Sequence, residues 1–140
     1  MAEVKGYSMP DDLYYHKEHM WVKLEGDTAI IGLTDFSQKL AGEMSFIEMP
    51  EEDSDVEKDE VVGSYETGKW MGKIFAPLTG KVIGINEEVE DDPSLINSDP
   101  YGRGWIYKLQ ISNSEEINEL MKGEDVIKWL EKEIAKHEEK

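Results

Sequence analysis

The sequence predicts a mostly β fold, a small antiparallel barrel or sandwich with short helices and a C-terminal amphipathic helical extension. Short runs rich in β-branched and aromatic residues, separated by turn residues, dominate the first two thirds of the chain. After Ser114 the apolar residues recur at three- and four-residue spacing, which is typical of helices. The 140 residues suit one domain (1–140), with a core over about 13–111 and C-terminal helices over about 114–137.

The charge and composition restrict the classes of partner and site. The formal charge of −17 arises from 32 acidic against 15 basic side chains. It argues against nucleic acid and against an anionic membrane, and it suits basic protein partners or simply a well-solvated surface. Because the chain has no cysteine, disulfides, thiolate nucleophiles and cysteine-based metal sites are excluded. The N-terminus lacks a leader-like pattern and no apolar run reaches membrane-spanning length, so we expect a cytoplasmic protein.

Local signals define the strands and the first helix. A tight hairpin turn is expected at Gly26, because glycine can adopt a positive φ. A short helix should follow, with Thr34 as its N-cap and Gly42 as its C-terminal stop. Pro93 suits the first turn of a further helix. The predicted strands are Trp21–Leu24, Thr28–Leu33, Met44–Met49, Val61–Tyr65, Lys73–Ala76, Gly80–Ile85 and Trp105–Ile111.

The C-terminal segment is predicted to form two short amphipathic helices packed on the sheet. A three- and four-residue spacing places the apolar residues of each helix on one face. We expect residues 135–140 to fray, as chain ends commonly do. The apolar positions are Ile117, Leu120 and Met121 in the first helix and Val126, Ile127, Leu130 and Ile134 in the second.

Lys69 is the most informative residue of the chain. It lies in a short polar turn between two strand-like runs, Val61–Tyr65 and Ile74–Leu78. A hairpin tip exposes such an amine, so it is a place where another group can be attached. Similar strand and acidic-loop segments on both sides, 50–66 and 73–92, place the lysine at the joint of two related halves.

The sequence contains no recognisable catalytic centre. The only side chains with an unperturbed pKa near neutrality are His16, His19 and His137. We interpret His19 as a packed structural histidine and place His137 in the terminal tail. The histidines lack metal-ligand spacing, and no serine has plausible catalytic partners. We therefore expect a carrier protein rather than an enzyme.

Several segments together resemble the lipoyl-carrying H proteins of the glycine cleavage system, over about Leu13 to Leu130. The matches occur in the same order and at the same intervals as in that family, which makes the resemblance specific. The matching segments are Tyr15–Trp21, Ile31–Gln38, Leu40–Glu43, Ala76–Val82 and Pro93–Ile106.

The resemblance implies a fold of the lipoyl/biotinyl hammerhead type and a lipoate attached covalently to Lys69. Glu66, three residues before the lysine, and Gly80, eleven after it, occupy places that the family keeps. The usual Val-Lys-Ala around the arm is replaced by Gly68-Lys69-Trp70. A lipoate ligase or lipoyl transferase would recognise Glu66, Gly68 and Lys69 during attachment.

The chain departs from the family where the aminomethyl-loaded arm is held. The family usually has a glutamate, a histidine and an aspartate at the places of Met20, Phe36 and Lys73. A protonated amine needs acceptors or negative charge, whereas these residues would offer apolar surface and a cation. The substitutions therefore predict a changed cargo cleft, suited to a sulfur-rich or anionic adduct.

The favoured interpretation is a lipoate-binding protein for sulfur-compound oxidation. Its partner would be a heterodisulfide-reductase-like complex or dihydrolipoamide dehydrogenase. The alternative is an ordinary H protein that carries an aminomethyl group from glycine decarboxylase to aminomethyltransferase. Two further alternatives are an interaction module without lipoate and a lipoate relay that passes lipoyl groups to other carriers. Replacement of Lys69 by arginine separates a carrier from an interaction module, since arginine cannot form the amide.

Overall fold

A computed structural model describes residues 2–138, in which eleven β-strands hold more residues than the helices do. This confirms the predicted mostly β class with short helices. The strands are β1 (Ala2–Val4), β2 (Tyr7–Met9), β3 (Tyr14–Tyr15), β4 (Met20–Glu25), β5 (Thr28–Leu33), β6 (Met44–Glu48), β7 (Asp55–Val56), β8 (Val61–Thr67), β9 (Met71–Phe75), β10 (Gly80–Ile85) and β11 (Tyr107–Ile111). The helices are α1 (Asp35–Ala41), α2 (Glu87–Asp91), α3 (Leu95–Ser98) and α4 (Glu124–Glu138), with a 3₁₀ helix at Ser114–Glu119.

The strands pair in antiparallel sheets. A six-stranded sheet has the order β3-β4-β5-β11-β10-β7, a three-stranded sheet has the order β6-β8-β9, and β1 and β2 form a separate hairpin. The turn between β4 and β5 is confirmed, because Glu25 pairs with Thr28 and Gly26 has φ 65°. Side chains alternate across a strand, so each sheet turns one set of residues inward.

The main core lies between the two larger sheets. Ile31 and Leu109 from the six-stranded sheet and Ile74 from the three-stranded sheet are fully buried in one apolar cluster. Burying such side chains stabilises the fold by roughly 1.5–3 kcal/mol each. The shared core confirms the predicted antiparallel barrel-sandwich, while the prediction of one domain over 1–140 stays a prediction.

Helix α1 begins and ends where the sequence predicts. The side-chain oxygen of Thr34 accepts a hydrogen bond from the Ser37 amide at 3.2 Å, which satisfies a donor of the first turn. Gly42 ends the helix with φ 94°, and its amide donates to the Gln38 carbonyl at 3.0 Å. The positive φ explains why glycine suits this position.

Other elements were not predicted. The hairpin of β1 and β2, the two-residue strands β3 and β7, and helix α2 all lie in segments that the sequence left as loops. Helix α2 forms in an acidic stretch because Asn86 caps its first turn and Val89 is fully buried. The segment at Trp105 and Ile106 precedes β11 rather than belonging to it, and Pro93 lies two residues before α3.

The C-terminal segment differs in part from its prediction. Its first helix is a 3₁₀ helix, and α4 continues through Glu138. The side chains of Val126, Leu130 and Ile134 are buried in a second apolar cluster, which also contains Trp21 of β4. Ile127 is exposed. Residues 139–140, which were also expected to fray, lie outside the described residues, as does the side chain of His137. Within residues 2–138, no helix combines the length and apolar character needed to cross a membrane.

Candidate functional site

Lys69 lies at the tip of the hairpin formed by β8 and β9, as predicted. The strands extend further toward the lysine than the sequence indicated, and their last cross-strand pair is Glu66 with Met71. The Thr67 amide donates to the Trp70 carbonyl at 2.8 Å and closes the turn. Lys69 is exposed on this short, hydrogen-bonded tip, so its amine is accessible to another protein.

The tip is attached to the C-terminal end of α1. The Thr67 hydroxyl donates to the Ala41 carbonyl at 2.7 Å, and the Lys69 amide donates to the Thr67 hydroxyl oxygen at 3.3 Å. The side chain of Lys69 lies over Gly42, where an added Cβ would be 3.1 Å from Lys69 Cε. The lysine side chain is therefore exposed, while the backbone that carries it is held by hydrogen bonds.

Two residues beside the lysine differ in how firmly the structure holds them. Glu66 is half-buried, and its carbonyl accepts a hydrogen bond from the Ser45 hydroxyl at 3.1 Å. Gly68 is exposed, and an added Cβ there would have no neighbour within 4 Å. Packing thus gives no reason for glycine at position 68, which leaves recognition by a loading enzyme as its predicted role.

Trp70 is 58% exposed although it is large and apolar. Its side chain and that of Ser37 of α1 lie near the hydroxyl of Tyr65. Burial raises the pKa of Tyr65, and these two polar neighbours oppose the rise. Tyr65 stays neutral at physiological pH and connects the tip to α1.

A cleft of about 470 Å³ opens beside the tip. Its apolar wall includes Leu40 from α1 and Trp70 and Phe75 from the hairpin. Its polar residues include Glu18 and His19 from the loop before β4. The cleft therefore offers apolar surface together with a carboxylate and an imidazole.

Of the three residues predicted to hold the cargo, Lys73 lines this cleft and Met20 and Phe36 do not, and the role of all three stays a prediction. Met20 is 0% exposed and lies in the main core. Phe36 is 1% exposed in the second cluster, with its ring edge-on to Tyr7 at a centroid distance of 4.9 Å. From α1, the residues that line the cleft are Ser37, Leu40 and Ala41, whereas Phe36 points into the second cluster.

His19 was interpreted as a packed structural histidine, and the structure adds a place in the cleft wall. Its Nε2 lies 2.9 Å from Glu133 Oε1, and its ring contacts Trp129 at a centroid distance of 4.7 Å. Its φ of 66° is uncommon for a non-glycine residue. Nothing local in the sequence indicates this place, because it depends on that φ and on residues of α4.

Gly80 lies on β10 in the six-stranded sheet, away from the hairpin that carries Lys69. It is buried, and an added Cβ would lie 2.3 Å from the backbone oxygen of Gln110 on β11. It pairs with Ile111 on one side and Val56 on the other. Close strand packing accounts for glycine here, and the structure does not bring Gly80 together with Lys69.

The comparisons with known proteins agree in both sequence and structure. A family model described as "Glycine cleavage H-protein" matches residues 13–133. The glycine cleavage system H protein of Carboxydothermus hydrogenoformans is 45% identical over 125 residues, covering 89% of this chain and 96% of the relative. The one from Listeria innocua is 44% identical over 124 residues, covering 89% and 99%.

A solved structure gives the same result at lower identity. The crystal structure of a glycine cleavage system H protein from Mycobacterium marinum is 28% identical, with a TM-score of 0.71 over 79% of this chain and 97% of that one. The likeness covers nearly the full length of each relative. The chain therefore belongs to the glycine cleavage H-protein family, whose members are carrier proteins with a lipoate covalently attached to a lysine and no catalytic centre of their own.

Proposed function

We propose that this protein carries lipoate on Lys69 and transfers an aminomethyl group from glycine decarboxylase to aminomethyltransferase. The observation that carries the proposal is the exposed Lys69 at a hydrogen-bonded hairpin tip, directly beside a cleft of about 470 Å³. The two relatives described above, glycine cleavage system H proteins at 44–45% identity, support the same pathway by name.

The residues present suit a lipoyl group. Lys69 provides an accessible amine, and glycine at position 42 leaves room for the methylenes of its side chain. Leu40, Trp70 and Phe75 supply apolar surface for an aliphatic arm. The bound lipoate would supply a dithiolane whose sulfurs hold the cargo, while the protein supplies position.

The polar residues of the cleft support an amine cargo. Glu18 offers a carboxylate, and a protonated amine is stabilised by nearby negative charge. Met20 and Phe36, which argued against an amine, are buried in the two cores and do not contact the cleft. Lys73 is the remaining departure that faces the cargo.

The sulfur-oxidation hypothesis loses most of its basis for the same reason. It rested on Met20, Phe36 and Lys73 acting together on one cargo, and only Lys73 lines the cleft. The relatives described above are named glycine cleavage system H proteins. We therefore favour the glycine pathway, with a lipoate ligase or lipoyl transferase as the loading enzyme and the cytoplasm as the location.

Carriage requires repeated encounters with several enzymes. An arm attached to a fixed tip meets the active site of a docked enzyme at high effective concentration. The acidic surface, with a formal charge of −17, suits enzymes that present basic docking faces. Turnover with these enzymes should weaken as ionic strength rises, because salt screens exposed charges.

The first step of the test is mass spectrometry of the peptide that contains Lys69, in protein purified from cells supplied with lipoate. We expect wild type and the matched control Lys73→Arg to be lipoylated and Lys69→Arg to be unmodified. Purified glycine decarboxylase and labelled glycine should then label the arm of the first two proteins only. An unmodified Lys69 in wild type would indicate an interaction module, and a lipoylated arm that gains sulfur but no glycine label would establish the sulfur carrier.

A further inference from the structure

We infer that the C-terminal end of α1 positions the arm of Lys69. In this arrangement Gly42 is the surface on which the lysine methylenes lie, and Thr67 fixes the hairpin tip to the helix. As a statement about a lipoyl arm the inference rests on the proposed function, but the contacts are those of the lysine itself.

The hydroxyl of Thr67 links two parts of the structure through one oxygen atom. It donates to the Ala41 carbonyl at 2.7 Å, in preference to the Trp70 carbonyl at 3.4 Å. The same oxygen accepts the Lys69 amide at 3.3 Å. A hydroxyl can donate once and accept as well, so Thr67 connects the lysine backbone to α1 in a way that valine cannot.

The end of α1 is itself fixed by a second helix. Asn97 of α3 donates its amide to the Gly42 carbonyl at 2.8 Å, and its side-chain oxygen accepts the Met44 amide at 2.8 Å. The Gly42 amide donates to the Gln38 carbonyl at 3.0 Å. The backbone on both sides of Gly42 is therefore held, which makes it a firm surface rather than a loose loop.

Two independent features distinguish position 42, its backbone conformation and the nearby lysine arm. Its φ of 94° and ψ of −168° lie in a region that is essentially restricted to glycine. An added Cβ would also lie 3.1 Å from Cε and 3.9 Å from Nζ of Lys69. The first constraint concerns the helix end, and the second concerns the lysine arm.

For a carrier protein, the consequence is that the lysine side chain has fewer directions in which to leave the hairpin tip. A lysine whose Cε lies over Gly42 at the end of α1 leaves the tip in a restricted set of directions. The far end of the arm then samples fewer orientations, so an enzyme docked at this tip meets it at a higher effective concentration. Gly42 and Thr67 are positioning residues, since neither touches the reacting group.

The first test removes the hydroxyl of Thr67 in the full chain, without and with lipoate. Wild type should show a nuclear Overhauser contact between the Lys69 ε protons and the Gly42 α protons. Thr67→Val should weaken it roughly two- to tenfold, the range for loss of one hydrogen bond, and Thr67→Ser should retain it. Equal contacts in all three proteins, or none in wild type, would overturn the inference.

The second test separates backbone strain from contact with the arm. Gly42→Ala is compared with Gly6→Ala, because Gly6 has a similar φ of 90° but no atom within 4 Å of an added Cβ. An amine-reactive acylating reagent is added to the folded protein without lipoate, and peptide mass spectrometry follows the modification of Lys69 and Lys73. The quantity compared is the ratio of the acylation rate at Lys69 to that at Lys73. Gly42→Ala should raise this ratio roughly twofold or more, as for a lost contact of hydrogen-bond strength, and Gly6→Ala should leave it unchanged.

The two proposals fail in different ways. Absence of lipoate from Lys69 in wild type would remove the proposed function, while the contact and acylation ratios would still report the positioning. A lipoylated wild type in which Gly42→Ala and Gly6→Ala give the same acylation ratio would overturn the positioning alone. If Gly42→Ala does not fold, the Thr67 variants decide the question.

Discussion

The ring of Tyr65 covers Gly72 across the β8–β9 hairpin. The two residues are direct cross-strand partners, and an added Cβ at position 72 would lie 2.2 Å from Tyr65 Cζ. Tyr65 is 6% exposed and its hydroxyl lies near the side chains of Ser37 and Trp70. The ring cannot move aside without breaking these contacts, so Gly72 makes room for one wall of the cleft.

Gly72→Ala should therefore destabilise the protein by about 1–3 kcal/mol, the usual cost of overpacking. The measurement is the free energy of unfolding from denaturant titration. Gly84→Ala is the matched control, because Gly84 also lies in a strand but an added Cβ there has no neighbour within 4 Å. It should change stability by no more than about 0.5 kcal/mol. Equal effects of the two substitutions would contradict the close packing of Tyr65 on Gly72.

Phe36 is expected to affect stability rather than cargo. It is almost fully buried in the cluster that also contains Leu130 of α4. Phe36→Ala should cost about 3–5 kcal/mol, and Leu130→Ala about 2–5 kcal/mol in the same cluster. Lys73→Asp, at the exposed rim of the cleft, should stay within about 0.5 kcal/mol of wild type.

Denaturant titration together with the intact mass after lipoylation checks this prediction. The fraction of Phe36→Ala that remains folded should be lipoylated as efficiently as wild type. A Phe36→Ala protein with wild-type stability and altered cargo binding would instead place the ring in the cleft.

Sequence reasoning succeeded where the signal is local. The cap of α1 depends on Thr34 and its own backbone neighbours, and the end of α1 depends on a φ that Gly42 adopts readily. The turn at Gly26 and the hairpin tip at Lys69 follow from strand-like runs on either side. These features are encoded within a few residues, so they can be predicted without the tertiary fold.

Sequence reasoning failed where the fold decides which way a side chain points. Met20 and Phe36 are apolar, and nothing local distinguishes a core position from a cleft position. His19 reaches the cleft because its φ is 66° and α4 supplies Glu133, which is 114 residues away in the sequence. Such contacts arise from tertiary packing, which a local pattern does not contain.

Gly80 should contribute to stability and leave lipoylation unchanged. The backbone oxygen that an added Cβ would meet belongs to Gln110 in a central strand pair, so it cannot be displaced as a flexible side chain can. We expect Gly80→Ala to cost about 3 kcal/mol. Gly68→Ala, at an open and exposed position, should stay within about 0.5 kcal/mol of wild type.

The two glycine variants are compared by denaturant titration and by the rate at which a lipoate ligase modifies Lys69. Folded Gly80→Ala should be modified at the wild-type rate, whereas Gly68→Ala should be slower if the ligase recognises Gly68. A slow but fully stable Gly80→Ala would assign Gly80 to cofactor attachment after all.

A buried histidine and a carboxylate set the expected pH dependence. The Glu18 amide donates to His16 Nδ1 at 3.2 Å, so Nε2 carries the proton and donates to Asp59 Oδ1 at 2.5 Å. Burial lowers the pKa of His16, although Asp59 opposes the shift. The hydrogen bond from His16 lowers the pKa of Asp59, with Lys58 contributing; Lys17 also lies near, at 3.7 Å. Both residues therefore favour a neutral imidazole beside an ionised carboxylate.

The free energy of unfolding should fall as the pH drops below about 6.5, the ordinary pKa of histidine. There the unfolded chain binds a proton at His16 that the folded chain resists, so the stabilisation is complete above this pH and is lost toward the lower folded pKa. Asp59 adds a further loss only below its ordinary value of 3.8. Denaturant titrations between pH 7.5 and 5, a window of about one unit or more on each side of 6.5, measure the slope. His16→Gln should flatten it, since glutamine does not titrate, while Asp59→Asn should retain it because burial still acts on His16. An unchanged slope in His16→Gln would assign the pH dependence to other groups.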